Sequence, residues 1–423
     1  MQDGVHNIEV EQSKTYQSDW CKNDRHELFE SFGDFNEWLD GDDGVETRVR
    51  YNLTCLSKPS RAFYAGDKQA YEQAYRDYRE RRFAEVLSED FIKEVYGDRH
   101  WYEINRERFE QLVIRILENQ VIPFIGAGIS VSAGFPTWKD HLRHQGRTAG
   151  IENQHIQDLL SKGEFENVIH EIETIRGREV FVQEIRDAFS KTPRLDDLTL
   201  RITELFQDTL ITTNYDRTIE TAFDTGRKGE MQIISGSDAL QSPGLTRTTI
   251  YKIHGSIDKP ASCIISKNQY DAAYGTKQVD LAKPIPKLLS YHYRTSSYLF
   301  LGCSLNNDRT MQVFKQIKEE IGDTDRPQHF AIEQAPETEK ELSDRNAYLL
   351  RYGIVAIWFE RSSYELVESL LRHLRNEVRY RNGGKTQEPK PNTLSPVSAK
   401  KERADIYKIL ADILKTFGRF KNA

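Results

Sequence analysis

The sequence predicts an α/β fold on a doubly wound, Rossmann-like parallel sheet, and three observations carry that prediction. Short apolar runs alternate with amphipathic segments from residue 121 to 380, the pattern of repeated βαβ units. The first apolar run, Val121–Ile125, opens directly into Gly126-Ala127-Gly128, where two glycines leave room for a tight turn and for a phosphate near backbone N–H groups. Three later runs end in polar clusters: Thr212-Thr-Asn-Tyr-Asp216, His254-Gly-Ser256 and Gly302-Cys-Ser304. In such sheets the ligand lies beyond the carboxyl ends of the strands.

Taken in order, residues 1–65 are polar with weak periodicity, and one short helix is expected at 25–39. Residues 67–96 read as a single helix, because Tyr71, Tyr75, Tyr78, Phe83, Val86, Leu87, Phe91 and Val95 fall near one face. Those tyrosines read as a face buried against a neighbour. A second helix, 105–119, carries Phe109, Leu112, Val113, Ile116 and Leu117 on one side and runs into the first strand. Residues 1–104 are thus expected to form a helical N-terminal extension, a kind of addition that commonly serves oligomer or partner contacts.

The sheet-bearing domain is expected over 105–380. A helix at 137–145 follows the first strand, then a mostly helical insertion at 156–189 and a helix at 198–206. Strand 209–213 precedes helix 217–223. Strands follow at Met231–Ser235 and 249–254, with a short one at 262–266. Helix 283–292 leads to the apolar strand 298–302. Helices 308–321, 337–349 and 363–380 then alternate with strands 328–333 and 353–359. Residues 381–423 form a tail: a Gly-, Pro-, Lys- and Ser-bearing linker, then an amphipathic helix at 400–417 suited to docking on a partner or on the chain's own core.

Composition narrows the partners. The chain has 423 residues, 38% hydrophobic and 30% charged, with net charge −7. Acidity on this scale argues against nucleic-acid binding over the whole surface, so nucleic acid is expected only indirectly or through a complex. Cys21, Cys55, Cys263 and Cys303 include no CxxC pair, so neither a zinc ribbon nor a disulfide framework is implied and no metal site is expected. The N-terminus lacks a basic stretch followed by an apolar core, and no apolar run approaches the roughly 18 residues that span a bilayer. A cytoplasmic location without membrane contact is the expectation.

The strand-end clusters carry the chemistry. Gly126-x-Gly128 has the spacing of the dinucleotide fingerprint, but Val131 stands where its third glycine would be. By itself this turn serves a nucleotide cradle or a tight corner equally well. Ser130, Ser132, Ala133, Gly134 and Pro136 extend it as a run of small side chains, ending at Trp138, which can cap a pocket. Asn214 offers a donor and an acceptor that can orient a water or a ribose hydroxyl. Asp216 can orient Asn214 or cap the next helix. His254 has the proton affinity for acid–base work near neutrality. Gly302 and Ser304 suit contact with a ribose or phosphate, with Asn307 or Asp308 available to cap the following helix.

Together GAGIS-x-SAG-x-P-x-W, TTNYD, HGS and FLG-x-SLN resemble the sirtuin-like NAD-binding domain, and more closely its bacterial antiphage-defence branch, over roughly residues 110–375. The resemblance implies an NAD hydrolase that cleaves the nicotinamide N-glycosidic bond and defends by depleting NAD. It implies that Gly126, Ala127, Gly128, Ser130 and Ala133 cradle NAD, with Pro136 and Trp138 on the nicotinamide side. Asn214, Asp216 and His254 would be catalytic, and Gly302 and Ser304 would hold the adenosine-side ribose or phosphates. The zinc module of sirtuins has no counterpart in the cysteine spacing, so no zinc is expected, and NAD hydrolysis is favoured over protein deacylation or ADP-ribosyl transfer. The layout further resembles the subunit that pairs with a HerA-type hexameric ATPase, which implies a homo-oligomer regulated by that ATPase; a nuclease subunit active only in the complex is the other alternative. The Thoeris-like branch, with a nucleotide-sensing domain after the sirtuin-like one, fits less well, since only residues 381–423 remain.

Overall fold

A computed structural model describes residues 26–97, 100–227, 231–240, 248–322 and 327–383. Among them seven strands form one sheet: β1 (Val121–Ile125), β2 (Thr209–Thr212), β3 (Met231–Ser235), β4 (Thr248–Lys252), β5 (Ser297–Leu301), β6 (His329–Gln334) and β7 (Ile354–Phe359). Their order is β3-β4-β2-β1-β5-β6-β7, and every neighbouring pair is parallel. Strands β4, β5 and β7 are buried at every position. Helices cover both faces of such a sheet, which is why these segments read as continuous apolar runs instead of alternating ones. The chain winds outward from β1 through β2, β3 and β4, then crosses back to add β5, β6 and β7 on the other side. The direction of winding reverses at β1 and β5, and that reversal opens the crevice where ligands bind in doubly wound folds.

Seven helices precede the sheet: α1 (His26–Ser31), α2 (Gly33–Asp40), α3 (Val45–Arg50), α4 (Pro59–Gly66), α5 (Lys68–Val86), α6 (Glu89–Tyr96) and α7 (His100–Leu117). The expected helix at 25–39 breaks at Phe32, while α3 and α4 lie where weak periodicity suggested no element. The single helix expected over 67–96 is two. It breaks at Leu87 and Ser88, where Ser88 adopts a left-handed φ of 57° and its hydroxyl accepts the Glu360 N–H at 2.8 Å. A tertiary bond to the sheet edge thus interrupts a helical pattern. The tyrosines of α5 are buried as expected, in an aromatic core where Phe32 meets Tyr75 edge-on at 4.7 Å and Phe35 meets Tyr71 at 5.1 Å.

These helices seal the β7 edge. Asn105 of α7 donates to the Trp358 carbonyl at 2.8 Å and accepts the Trp358 N–H at 2.9 Å, acting as a one-residue strand partner. Arg108 donates to the Ala356 carbonyl at 2.6 Å. An edge strand would otherwise present open N–H and C=O groups.

After β1 come α8 (Ala127–Ser130), α9 (Trp138–Thr148), α10 (Asn153–Ser161), α11 (Phe165–Arg176), α12 (Arg178–Phe189) and α13 (Asp197–Leu205). Helices α10 to α12 are the expected insertion and, with α9, enclose their own core around Leu142, Ile156, Ile169, Phe181 and Ile185. The remaining helices are α14 (Thr218–Arg227), α15 (Lys267–Tyr274), α16 (Pro284–Thr295), α17 (Arg309–Ile321), α18 (Glu339–Leu350) and α19 (Glu365–Arg381). The short strand expected at 262–266 does not form. Ser262 closes a 3-10 turn, Ile264 makes one backbone bond to the His254 carbonyl at 2.9 Å, and Ser266 caps α15 in a capping box with Gln269. Helix α15 was not anticipated. The linker and helix expected beyond residue 383 lie outside the described residues.

Candidate active site

A cavity of about 1800 Å³ lies over the carboxyl ends of the strands, lined by the loops after β1, β2, β4 and β5 and walled by the helical insertion. It reaches Asn214, Asp216, His254, Trp138, Gly302 and Ser304, so three of the strand-end clusters and the glycine turn converge on one space. That volume exceeds the usual range for a small-molecule pocket, about 300–1,000 Å³. It has ample room for a dinucleotide.

The glycine turn is built differently from a bare phosphate cradle. Gly126 has an ordinary extended φ of −103°, so it is not needed for an unusual backbone angle. Its role is close approach: a Cβ on Gly126 would lie 2.5 Å from the Gly302 carbonyl oxygen, and one on Gly128 would lie 2.8 Å from the Gly302 Cα. Gly302 does need the left-handed region, with φ of 64°. The two loops are zipped by backbone bonds, Gly126 N–H to the Leu301 carbonyl and Gly128 N–H to the Gly302 carbonyl, both at 2.9 Å. These two N–H groups, expected to face a phosphate, are therefore spent. The helix that follows, α8, is a single turn, so its dipole is small. Ala127, half-buried between them, lines the cavity.

Asn214 is the best-determined side chain of the site. It is 7% exposed. Its Nδ2 donates to the Gly126 carbonyl and to Ser130 Oγ, both at 3.0 Å. Since Gly126 O can only accept, the amide must place its NH2 there. Both donors are consumed, and Oδ1 is left buried without a hydrogen-bond partner. A buried acceptor without a partner costs free energy, which suits a group reserved for a ligand hydroxyl or water. Ser130 is 1% exposed and lies behind Asn214, orienting it, instead of lining the cavity. Thr212 locks the same loop: its hydroxyl donates to the Ile125 carbonyl at 2.9 Å and accepts the Asn214 N–H at 3.0 Å.

Asp216 reads as a cap. Its Oδ1 accepts the N–H of Thr218, the first residue of α14, at 2.9 Å, although the residue also lines the cavity. His254 follows β4 by two residues. Its Nε2 lies 2.8 Å from the hydroxyl of the fully buried Tyr274, and its ring meets the edge of Tyr270 at 5.3 Å. The surrounding protein pushes its pKa down to about 4 by desolvation, so the imidazole is neutral at pH 7 and can accept a proton.

Trp138 opens α9 on the cavity wall, stacked on His141 at 5.6 Å and edge-on to Tyr215 at 5.4 Å. Ala133 is packed in the insertion core, its carbonyl accepting the Arg194 N–H at 3.0 Å, and Pro136 is half-buried beside it; neither lines the cavity. Ser304 is exposed at the rim, where its carbonyl accepts from Arg345 at 3.0 Å. Asp308 caps α17 through the Met311 N–H at 2.9 Å, and burial raises its pKa to about 6.

Several lining groups escaped sequence reasoning. Arg345 pairs with Glu333 at 2.6 Å while holding the loop after β5, and Arg309 joins Glu166 of the insertion to Asp271 of α15 at 2.8 and 2.6 Å. Nothing in local spacing marks these pairs, which come from elements far apart in the chain. Lys252 did leave a signal: a lysine inside the apolar run Thr248–Lys252, whose positions are all buried, must have a partner.

Comparison with known proteins agrees with this geometry. Residues 208–357, which hold Asn214, His254 and Ser304, match the SIR2-like domain family. The chain is 24% identical over 279 residues to the NAD(+) hydrolase ThsA of Bacillus cereus (strain MSX-D12), a match covering 62% of this chain and 56% of that protein. It is 28% identical over 224 residues to the NAD(+) hydrolase ThsA of Acinetobacter baumannii (strain 532279), covering 53% and 44%. A third ThsA, from Cytobacillus dafuensis, is 26% identical over 206 residues, covering 48% and 39%. The chain thus spans about half the length of the curated relatives it matches. The sheet is the SIR2-like form of the Rossmann-like fold.

Proposed function

We propose that this protein is an NAD+ hydrolase that releases nicotinamide and ADP-ribose and acts in antiphage defence by depleting NAD. The observation that carries the reading is the Asn214 carboxamide: both donors engaged, one acceptor oxygen without a partner, in a cavity shared with a neutral imidazole. The relatives named NAD(+) hydrolase support the choice of substrate.

Nicotinamide leaves NAD+ as a neutral base from a cationic ring, so its departure needs little acid catalysis. The demand lies on the ribose, where the C1′–N bond breaks, both electrons leave with nicotinamide, and an oxocarbenium-like centre develops. An acceptor oxygen fixed in a desolvated place, such as Asn214 Oδ1, stabilises that positive charge and orients a ribose hydroxyl or the attacking water. Water adds to C1′ and gives up a proton, which His254 can take because it is neutral. Tyr274 holds one imidazole nitrogen and thereby sets the direction of the other. Asp216 acts through the backbone, starting α14. Trp138 and Pro136 shape the nicotinamide end. The glycine turn, Ala133 and Ser130 frame the pocket, with Gly302 and Ser304 towards the adenosine half.

The catalytic unit is residues 105–380, preceded by the extension 1–104 and followed by the tail 381–423. The protein is a cytoplasmic homo-oligomer controlled by a HerA-type ATPase, a reading supported by the domain layout of the sequence. Incubating purified protein with NAD, with and without that ATPase, tests both parts. Nicotinamide and ADP-ribose in equal amounts are expected. NAD left intact in both incubations, or acyl-peptide-dependent turnover alone, would overturn the hydrolase reading.

A further inference from the structure

Lys252 ends β4, two residues before His254, and its side chain is 0% exposed. Its ammonium spends all three protons. One goes to Glu220 Oε1 on α14 at 2.6 Å, one to the Tyr215 carbonyl at 3.2 Å, and one to the Asp216 carbonyl. Glu220 is itself buried, with its side chain 3% exposed. Two of the three acceptors are therefore backbone carbonyls of the loop that carries Asn214. Backbone bonds flank the ammonium, Ile253 N–H to the Thr212 carbonyl at 3.0 Å and Ile257 N–H to the Tyr215 carbonyl at 3.1 Å. The lysine ties down the turn between them.

A buried lysine–glutamate pair is a poor source of stability, because removing both charges from water offsets most or all of their attraction. The chemistry proposed above has no use for Lys252 as acid, base or nucleophile, since its protons are committed to fixed acceptors. What the pair supplies is geometry. It joins the strand that leads to His254, the loop that bears Asn214 and the first turn of α14 at one point.

We infer that Lys252, balanced by Glu220, is a positioning residue that fixes the Asn214 loop relative to His254. The inference rests on the proposed NAD cleavage for its effect on rate, but its effect on the loop can be measured without turnover. The double variant Lys252→Met/Glu220→Leu removes both charges and keeps similar volume, so the melting temperature is expected to stay within about 5 °C of wild type. Amide hydrogen exchange over 213–218 is expected to rise about tenfold or more, with the rest of the sheet unchanged. At saturating NAD, kcat is expected to fall about 100-fold while KM stays within about threefold.

A folded double variant with wild-type exchange at 213–218 would overturn the inference, even if the wild-type protein proved inactive on NAD. Loosened exchange with unchanged kcat would overturn the catalytic part alone. If wild type fails to hydrolyse NAD, the function is wrong and exchange alone decides the anchoring. If the double variant does not fold, Glu220→Gln decides, since it keeps the shape and one acceptor oxygen. Loop protection and kcat are then expected to fall together, each by about tenfold, and any other combination overturns the inference.

Discussion

The two halves of the cavity rim are built on opposite principles. On the β2–β4 side the working groups are side chains, and one of their polar atoms, Asn214 Oδ1, is buried without a partner. On the β1–β5 side the rim is backbone laid on backbone, with Gly126 and Gly128 zipped to the Leu301 and Gly302 carbonyls. The first half holds an unspent interaction and the second holds almost none. The difference teaches that the glycine motif serves close packing of two loops, while recognition at the reacting centre falls to the asparagine and histidine across the crevice. The sharpest sequence motif is thus the frame, and a single amide is the tool.

Substitutions can break this contrast. The largest effect is expected at Asn214: Asn214→Ala should lower kcat by about 10²–10³, about 3–4 kcal/mol of transition-state stabilisation, with a fold still cooperative by thermal melting. On the glycine side the effect should move to stability. Gly126→Ala puts a methyl group 2.5 Å from the Gly302 carbonyl oxygen, and overpacking of this kind costs about 1–3 kcal/mol, read as a lowered denaturant midpoint. A variant that melts like wild type yet fails to bind NAD would show that the turn touches the ligand directly.

Smaller effects sharpen the description of the chemical half. Tyr274→Phe removes the hydroxyl that holds His254 Nε2 at 2.8 Å. It should lower kcat about tenfold and leave KM nearly constant, as expected for an orienting bond. Steady-state kinetics at saturating and limiting NAD would separate the two constants.

The pH dependence is the gentlest test. His141 and His254 are held down to about 4 and His373 to about 3, in each case first by desolvation. Between pH 6.5 and these values the unfolded chain binds more protons than the folded one, so their contribution to stability falls as pH falls through that window. Asp308, raised to about 6 by burial, acts oppositely between pH 6 and 3.8. The imidazoles outnumber it, so chemical denaturation should show net loss of stability from pH 6.5 to 4. The acid limb of kcat/KM should lie nearer pH 4 than 6.5, for as long as the fold persists.

Much of this was legible in the sequence because burial on both faces of a parallel sheet leaves uninterrupted apolar runs. Strands β1 and β3 fall where expected, and the polar residues that end β2, β4 and β5 converge as the topology requires. What escaped depended on partners distant in sequence. Ser88 breaks a helical pattern because Glu360 claims its hydroxyl. Cys263, Ile264 and Ile265 look like a strand but have no ladder to join. Gly126 looks like a flexible hinge, and only the loop after β5 reveals it as a contact point. The Asn214 amide was readable as a polar group with two capacities, and the Gly126 carbonyl and Ser130 decide which one remains.

The most direct test is nicotinamide release at saturating NAD by wild-type protein and by Asn214→Ala, each verified as folded by melting. The account predicts nicotinamide and ADP-ribose in equal amounts from wild type and at least an about 100-fold slower release from the variant. Equal rates from the two proteins would contradict it.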